Sequence, residues 1–130
     1  MKEATRAKLI FKTKAVLRRH IGPDECIKMV QVYYEVTGIL VTPGKQYDET
    51  RMIRSAIEQL RTDGHPICIK DGKNGGYFWA RNSADLEPTI RRFHSRALAS
   101  LKQEASLKKI PFGDLLKQYE IDFDQHRLTA

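Results

Sequence analysis

Residues 48–80 read DETRMIRSAIEQLRTDGHPICIKDGKNGGYFWA, and this stretch decides the fold. Ile53, Ala56, Ile57 and Leu60 recur at i, i+3, i+4 and i+7, the apolar stripe of a helix over residues 48–63. Arg51, Arg54, Ser55 and Glu58 fall on the opposite face. Gly64 ends the helix and Pro66 blocks its continuation. Two short strands follow, within residues 67–80, joined by the Gly- and Asn-rich turn DGKNGG. Tyr77, Phe78 and Trp79 alternate across the second strand, so one face is core. Trp79 reads as a core residue more readily than as a stacking platform.

Outward from this stretch, the 130 residues suit one domain with an appendage. Charged residues make up 30% of the chain, and no apolar run approaches the ~20 residues needed to span a bilayer. With no signal-peptide pattern, the expected location is the cytoplasm. Net charge is +7 and unevenly spread. Residues 1–62 carry 12 Lys and Arg against 7 Asp and Glu, residues 63–109 carry 9 against 5, and residues 110–130 carry 2 against 4. A basic body with an acidic tail points to a polyanionic partner, although an inert basic surface has the same composition. Cys26 and Cys68 make no disulfide framework. His20, His65 and the two cysteines lack the close ligand pairs of a metal site, so both thiols read as structural and no metal or cofactor is expected.

Upstream, a first helix is expected over Glu3–Arg19, with Ala7, Ile10, Phe11 and Leu17 inward and Leu9 and Val16 widening that face. Gly22-Pro23 ends it. Asp24 then caps a second helix running to Thr37-Gly38, with Ile27, Val30 and Tyr34 inward, and Met29 and Tyr33 as further candidates. The connection from Gly38 to Thr50 contains Pro43-Gly44 and is longer than the three or four residues of a simple helix-turn-helix. Downstream, Asn82 or Ser83 caps a long helix, residues 84–109, whose Leu86, Ile90, Phe93, Ala97 and Leu101 are spaced by 4, 3, 4 and 4. Pro88 sits in its first turn, where its missing N–H costs little. Ile110-Pro111-Phe112-Gly113 breaks the helix. The reading is a mainly α chain with a small β-hairpin (α+β). It divides into a domain over residues 1–82, a long packing and dimerisation helix over 83–109, and a C-terminal tail over 110–130.

The series R-x-I-R-x-x-I-x-x-L-R from Arg51, then G-H-P-I-C and G-Y-F-W-A, resembles the winged helix-turn-helix of small phage- and prophage-type DNA-binding proteins. The resemblance covers roughly residues 20–105. It implies a non-enzymatic protein that reads double-stranded DNA with helix 48–63 and wing 67–80, in regulation, replication or packaging. The long turn before the reading helix departs from the pattern. Arg51 and Arg54 stand near the start of that helix, where side chains meet base edges. An arginine pairs bidentately with guanine at ~1–3 kcal/mol of discrimination. Both can equally be surface charges paired to Glu49 or Glu58. Thr50 and Ser55 suit phosphate or base contacts, Lys45 the backbone beside the turn, and Lys70, Lys73 and Asn74 the wing.

Homodimerisation through residues 84–109 is weighed against an intramolecular return of that helix. In the tail, Gln118, Ile121 and Phe123 match Q-x-x-I-x-F, which resembles the peptide by which bacterial replication and repair proteins bind the sliding clamp; packing of this tail on the body is the other reading. The alternative to DNA binding is a winged-helix protein-interaction module. An enzyme is disfavoured, because GKNGG lacks the helix of a phosphate loop and the histidines are scattered.

Overall fold

Backbone hydrogen bonds on both sides of one hairpin organise residues 1–89. The computed structural model describes the backbone of residues 2–129 and the side chains of residues 2–122. Its elements are α1 (Glu3–Leu17), a 3-10 turn (Pro23–Glu25), α2 (Met29–Thr37), α3 (Gln46–Glu49), α4 (Arg51–Thr62), β1 (Ile67–Lys70), β2 (Gly76–Trp79), α5 (Ser83–Lys108) and α6 (Phe112–Thr129). The fold is mainly helical with one antiparallel hairpin, in a winged-helix-like arrangement followed by a long helix. Contacts divide the chain into two compact units, residues 1–89 and 90–130.

In the first unit β1 and β2 pair with Ile67 opposite Trp79, Cys68 opposite Phe78 and Ile69 opposite Tyr77. The outer edge of β2 is covered by residues 20–27. The Tyr77 N–H donates to the Ile27 carbonyl and the Ile27 N–H to the Tyr77 carbonyl, while Gly22 and His20 bracket Trp79 in the same way. The outer edge of β1 is capped by side chains. Arg61 Nε donates to the Ile67 carbonyl at 2.8 Å, and the Ile69 N–H donates to Thr89 Oγ1 at 3.3 Å. A bare edge would offer these groups to another chain.

Alternation along the strands sends side chains to two cores. Ile67, Tyr77 and Trp79 pack with α1, α2 and α4 around Leu17, Val32, Ile53 and Leu60. Cys68, Phe78 and Ala80 face Cys26 and Leu86. The first turns of α5 therefore belong to the first unit. The first compact unit runs to Thr89, and Leu86 and Thr89 complete the hairpin.

The apolar stripe of α4 is buried as its spacing predicts. Gly64, at φ 96°, ends the helix: its N–H reaches the Arg61 carbonyl and that of His65 reaches Leu60, a Schellman closure. Helix α4 begins at Arg51 instead of Asp48. Residues 46–49 form α3, and Thr50 at φ −89°, ψ 1° separates the two. The long connection is tied down by the Thr42 N–H, which donates to the Glu49 carboxylate at 2.9 Å.

Three expectations upstream are corrected. Helix α1 ends at Leu17, and it buries Thr13, Val16 and Leu17 while Ala7 is exposed and Phe11 is 72% exposed. Thr13 tolerates the core because its hydroxyl donates to the Leu9 carbonyl. The second helix starts at Met29, since Ile21 and Ile27 bridge to β2 on either side of the 3-10 turn. That shift turns Val32, Tyr33 and Val36 inward and leaves Val30 and Tyr34 exposed.

In the second unit the tail forms the helix α6. The residues Phe112, Leu115, Leu116 and Tyr119 lie at helical spacing. Lys109, at φ 57°, closes α5, with the Ile110 N–H on the Ala105 carbonyl. Helix α6 then buries Leu115 along with Ala105, and Tyr119 donates its hydroxyl to Glu104 at 2.7 Å.

At the start of α5, Asn82 accepts the Asp85 N–H, and the Asp85 carboxylate receives the Arg81 N–H and both arms of its guanidinium. These bonds hold the Asp85 carboxyl below the usual range. Their contribution is complete above the ordinary carboxylate pKa and is lost as pH falls through the lowered value. Asp85→Asn should therefore flatten the acid limb of a stability-against-pH curve measured by urea unfolding. Separately, a Cβ on Gly76 would lie 2.5 Å from the Ile27 carbonyl oxygen. Gly76→Ala should cost about 1–3 kcal/mol in the same assay.

Candidate nucleic-acid interface

The expected reading face of α4 carries Arg51, Arg54, Ser55 and Glu58, but packing divides these residues into different roles. Arg51 is exposed and meets Asp48 at 3.4 Å. Both side chains are over two-thirds exposed, so the pair holds Arg51 only weakly. Arg54 turns back toward the helix start. Its guanidinium lies 4.1 Å from the Tyr47 ring centroid and donates to Thr50 Oγ1 and to the Tyr47 carbonyl. It pairs with neither Glu49 nor Glu58 in these contacts. Arg54 thereby fastens α3 to α4 across the break at Thr50.

Thr50 is corrected as a contact residue. It is 1% exposed, and its hydroxyl is occupied, donating to the Gln46 carbonyl and accepting from Arg54. Tyr47 is 72% exposed above the guanidinium. With Arg54, Met29 and Val30 it lines an open cleft of about 310 Å³.

Ser55 is half-buried because Arg6, from the first helix, reaches it: Arg6 Nη1 donates to Ser55 Oγ at 3.1 Å. Helix α1 packs along α4, which brings a guanidinium 49 residues away in sequence to Ser55. A guanidinium has five N–H donors, and Ser55 takes one. Sequence periodicity offered no signal for this pairing.

The wing gathers a second basic group. Lys73 and Asn74 are exposed in the turn, and Lys70 is exposed with Nζ 3.4 Å from the Pro23 carbonyl. Lys28, outside the expected set, joins them: its Nζ donates to the Gly72 carbonyl at 3.2 Å. The edge pairing of residues 20–27 with β2 is what brings Lys28 to the turn. Lys45 is exposed just ahead of α3. Trp79 is half-buried against the main core, with the Arg18 guanidinium 5.3 Å from its ring.

Cys68 is fully buried and burial pushes its thiol pKa up, so at neutral pH it is a protonated packing group. Cys26 is half-buried and shifted in the same direction by burial. Among the described residues, no three His, Cys, Asp or Glu side chains come together as a metal site, and no helix is long and apolar enough to cross a membrane. On α6, Gln118 and Ile121 are exposed one turn apart; Phe123 lies outside the residues whose side chains are described. Comparisons with known protein families, with curated proteins and with solved structures find no match to this chain.

The two arginines of α4 should separate by experiment. Arg54→Ala should cost about 1–2 kcal/mol of stability, because it removes a stacked, hydrogen-bonded guanidinium. Arg51→Ala should stay within about 0.5 kcal/mol of the parent chain, as an exposed substitution does. Urea unfolding of the two variants checks both values.

Proposed function

We propose that the chain binds duplex DNA without catalysing a reaction, laying α4 in a major groove and the β1–β2 turn against the adjoining backbone. The observation that carries this reading is the bond from Arg6 to Ser55, one helical turn from exposed Arg51 on α4, in a unit that also carries a basic hairpin turn. Residues 1–89 hold 15 Lys and Arg against 11 Asp and Glu, so the net charge of this unit favours a polyanion. The resemblance to phage-type winged helices supports the same reading and suggests a role in regulation, replication or packaging for a phage or mobile element.

The two basic groups suit different tasks. Arg51 and Arg6 have planar donor sets that match guanine O6 and N7, while Ser55 holds Arg6 in place. Lys28, Lys70 and Lys73 present ammonium groups that suit phosphates and carry no sequence information. Lys45 and Asn74 extend the same backbone contacts. Arg54 supports the surface by fixing the start of α4.

A second reading, a protein-interaction module without DNA binding, draws on the exposed apolar residues Phe11, Ile39 and Leu40 of the same unit.

Selection of duplexes from a random pool, followed by titration against salt, tests the proposal. The expected result is an enriched motif. Arg51→Ala and Arg6→Ala should relax preference at individual positions, by about 5- to 100-fold against the wrong base. Lys73→Ala should weaken binding to every sequence and lower the salt slope by about one ion. Absence of binding even at low salt would sink the DNA reading and favour the interaction module.

A further inference from the structure

Residues 90–130 make a helical hairpin with little interior. Among the described side chains, only Ala105 and Leu115 are buried in this unit. Helix bundles reach independent stability by burying apolar stripes from several helices, and two helices alone give each stripe a single neighbour. Here the stripe of α5 continues outward through Ile90, 55% exposed, and Phe93, 47% exposed. Leu116 on α6 is also exposed, at 41%.

The charges beside these residues are unequal. By sequence, residues 90–109 carry six Lys and Arg against one acidic residue, and residues 112–129 carry four Asp and Glu against two Lys and Arg. The hairpin therefore has one basic and one acidic helix. A second copy turned by a two-fold axis sets basic α5 against acidic α6 twice, with the apolar stripes between them. A nucleic acid would match α5 and repel α6.

Size sets the strength. At ~1.5 Å per residue, the part of α5 from Ile90 to Lys108 is ~28 Å long, and two helices each ~10 Å wide give a face of ~560 Å². A standard interface buries ~800 Å² per partner, so this one lies toward the small end.

We propose that the α5–α6 hairpin is a homodimerisation surface, closing with a second copy into a four-helix bundle held by Ile90, Phe93 and Leu116 and by the α5-to-α6 charge match. The proposal needs no DNA, so its failure is separate from failure of the DNA reading. A two-fold interface of this kind uses itself up and stops at two chains.

The test is sedimentation equilibrium of the full chain without nucleic acid, from about 1 to about 200 µM, the range in which a small interface associates. The expected mass rises from one chain to two and goes no further. Phe93→Glu and the milder Leu116→Gln should each weaken association at least about ten-fold, while keeping a cooperative melting curve by circular dichroism. Leu40→Glu alters an exposed residue of the other unit and should associate like the parent chain. Added salt should weaken the dimer, because the charge match is exposed. A parent chain that stays monomeric at the highest concentration overturns the proposal. So do variants that both dimerise normally, or a mass that climbs past two chains.

Discussion

The constraint on which the first unit depends is the backbone bonding of a hairpin whose strands are four residues each. A strand buried between two cores cannot leave its N–H and C=O groups unpaired, and a two-stranded sheet has two open edges. This chain closes both by different means. Residues 20–27 lie along β2 and exchange backbone bonds at Ile27. Arg61 and Thr89 cap β1 with side chains. These partners fix the order of everything else: α2 must start after Ile27, α4 must end within reach of Ile67, and α5 must begin under Phe78. The run L-R-x-x-G-x-P-I has its explanation here, because Leu60 anchors the core while Arg61 reaches over the Gly64 turn to the strand it precedes.

The same closure shapes the candidate interface. With the hairpin packed on both faces, its turn is the part left to meet a partner. Lys28 is carried to that turn by the segment that seals β2, so a structural need and a cluster of cations share one stretch of backbone. On α4, burial of one face leaves the other to Arg51 and Ser55, and the long connection before the helix has its own cost. The short α3 has to be held against α4 across a non-helical residue, and Arg54 is committed to that task by Tyr47 and Thr50. A cation near the start of a helix can thus be architectural, which charge counting along a helix face does not reveal.

The second unit obeys the opposite logic. Its helices have clear stripes and a well-formed connection at Lys109, yet among the described side chains only Ala105 and Leu115 are buried between them. Tyr119 and Glu104 add a polar clasp, which holds the carboxyl below its ordinary range. Such a clasp orients two helices and does not substitute for a core.

Local pattern was sufficient wherever one segment's own period or turn chemistry decides its structure. The spacing of Ile53, Ala56, Ile57 and Leu60, the Gly64-Pro66 stop, the glycine-rich hairpin turn and the break at Pro111 were all legible in the sequence. Helix α6 was legible too, in Phe112, Leu115, Leu116 and Tyr119, although the hydrophobic tail invited a docking interpretation instead. Tertiary structure alone decided that Thr13 and Thr50 are interior, that residues 20–27 bond to the edge of β2, that Arg54 faces its own helix start, and that Arg6 stands beside Ser55. The physical reason is common to these cases. Each depends on hydrogen bonds or packing that satisfy a polar group in its folded surroundings, and a polar side chain read along the sequence looks solvent-facing until its partner is in place.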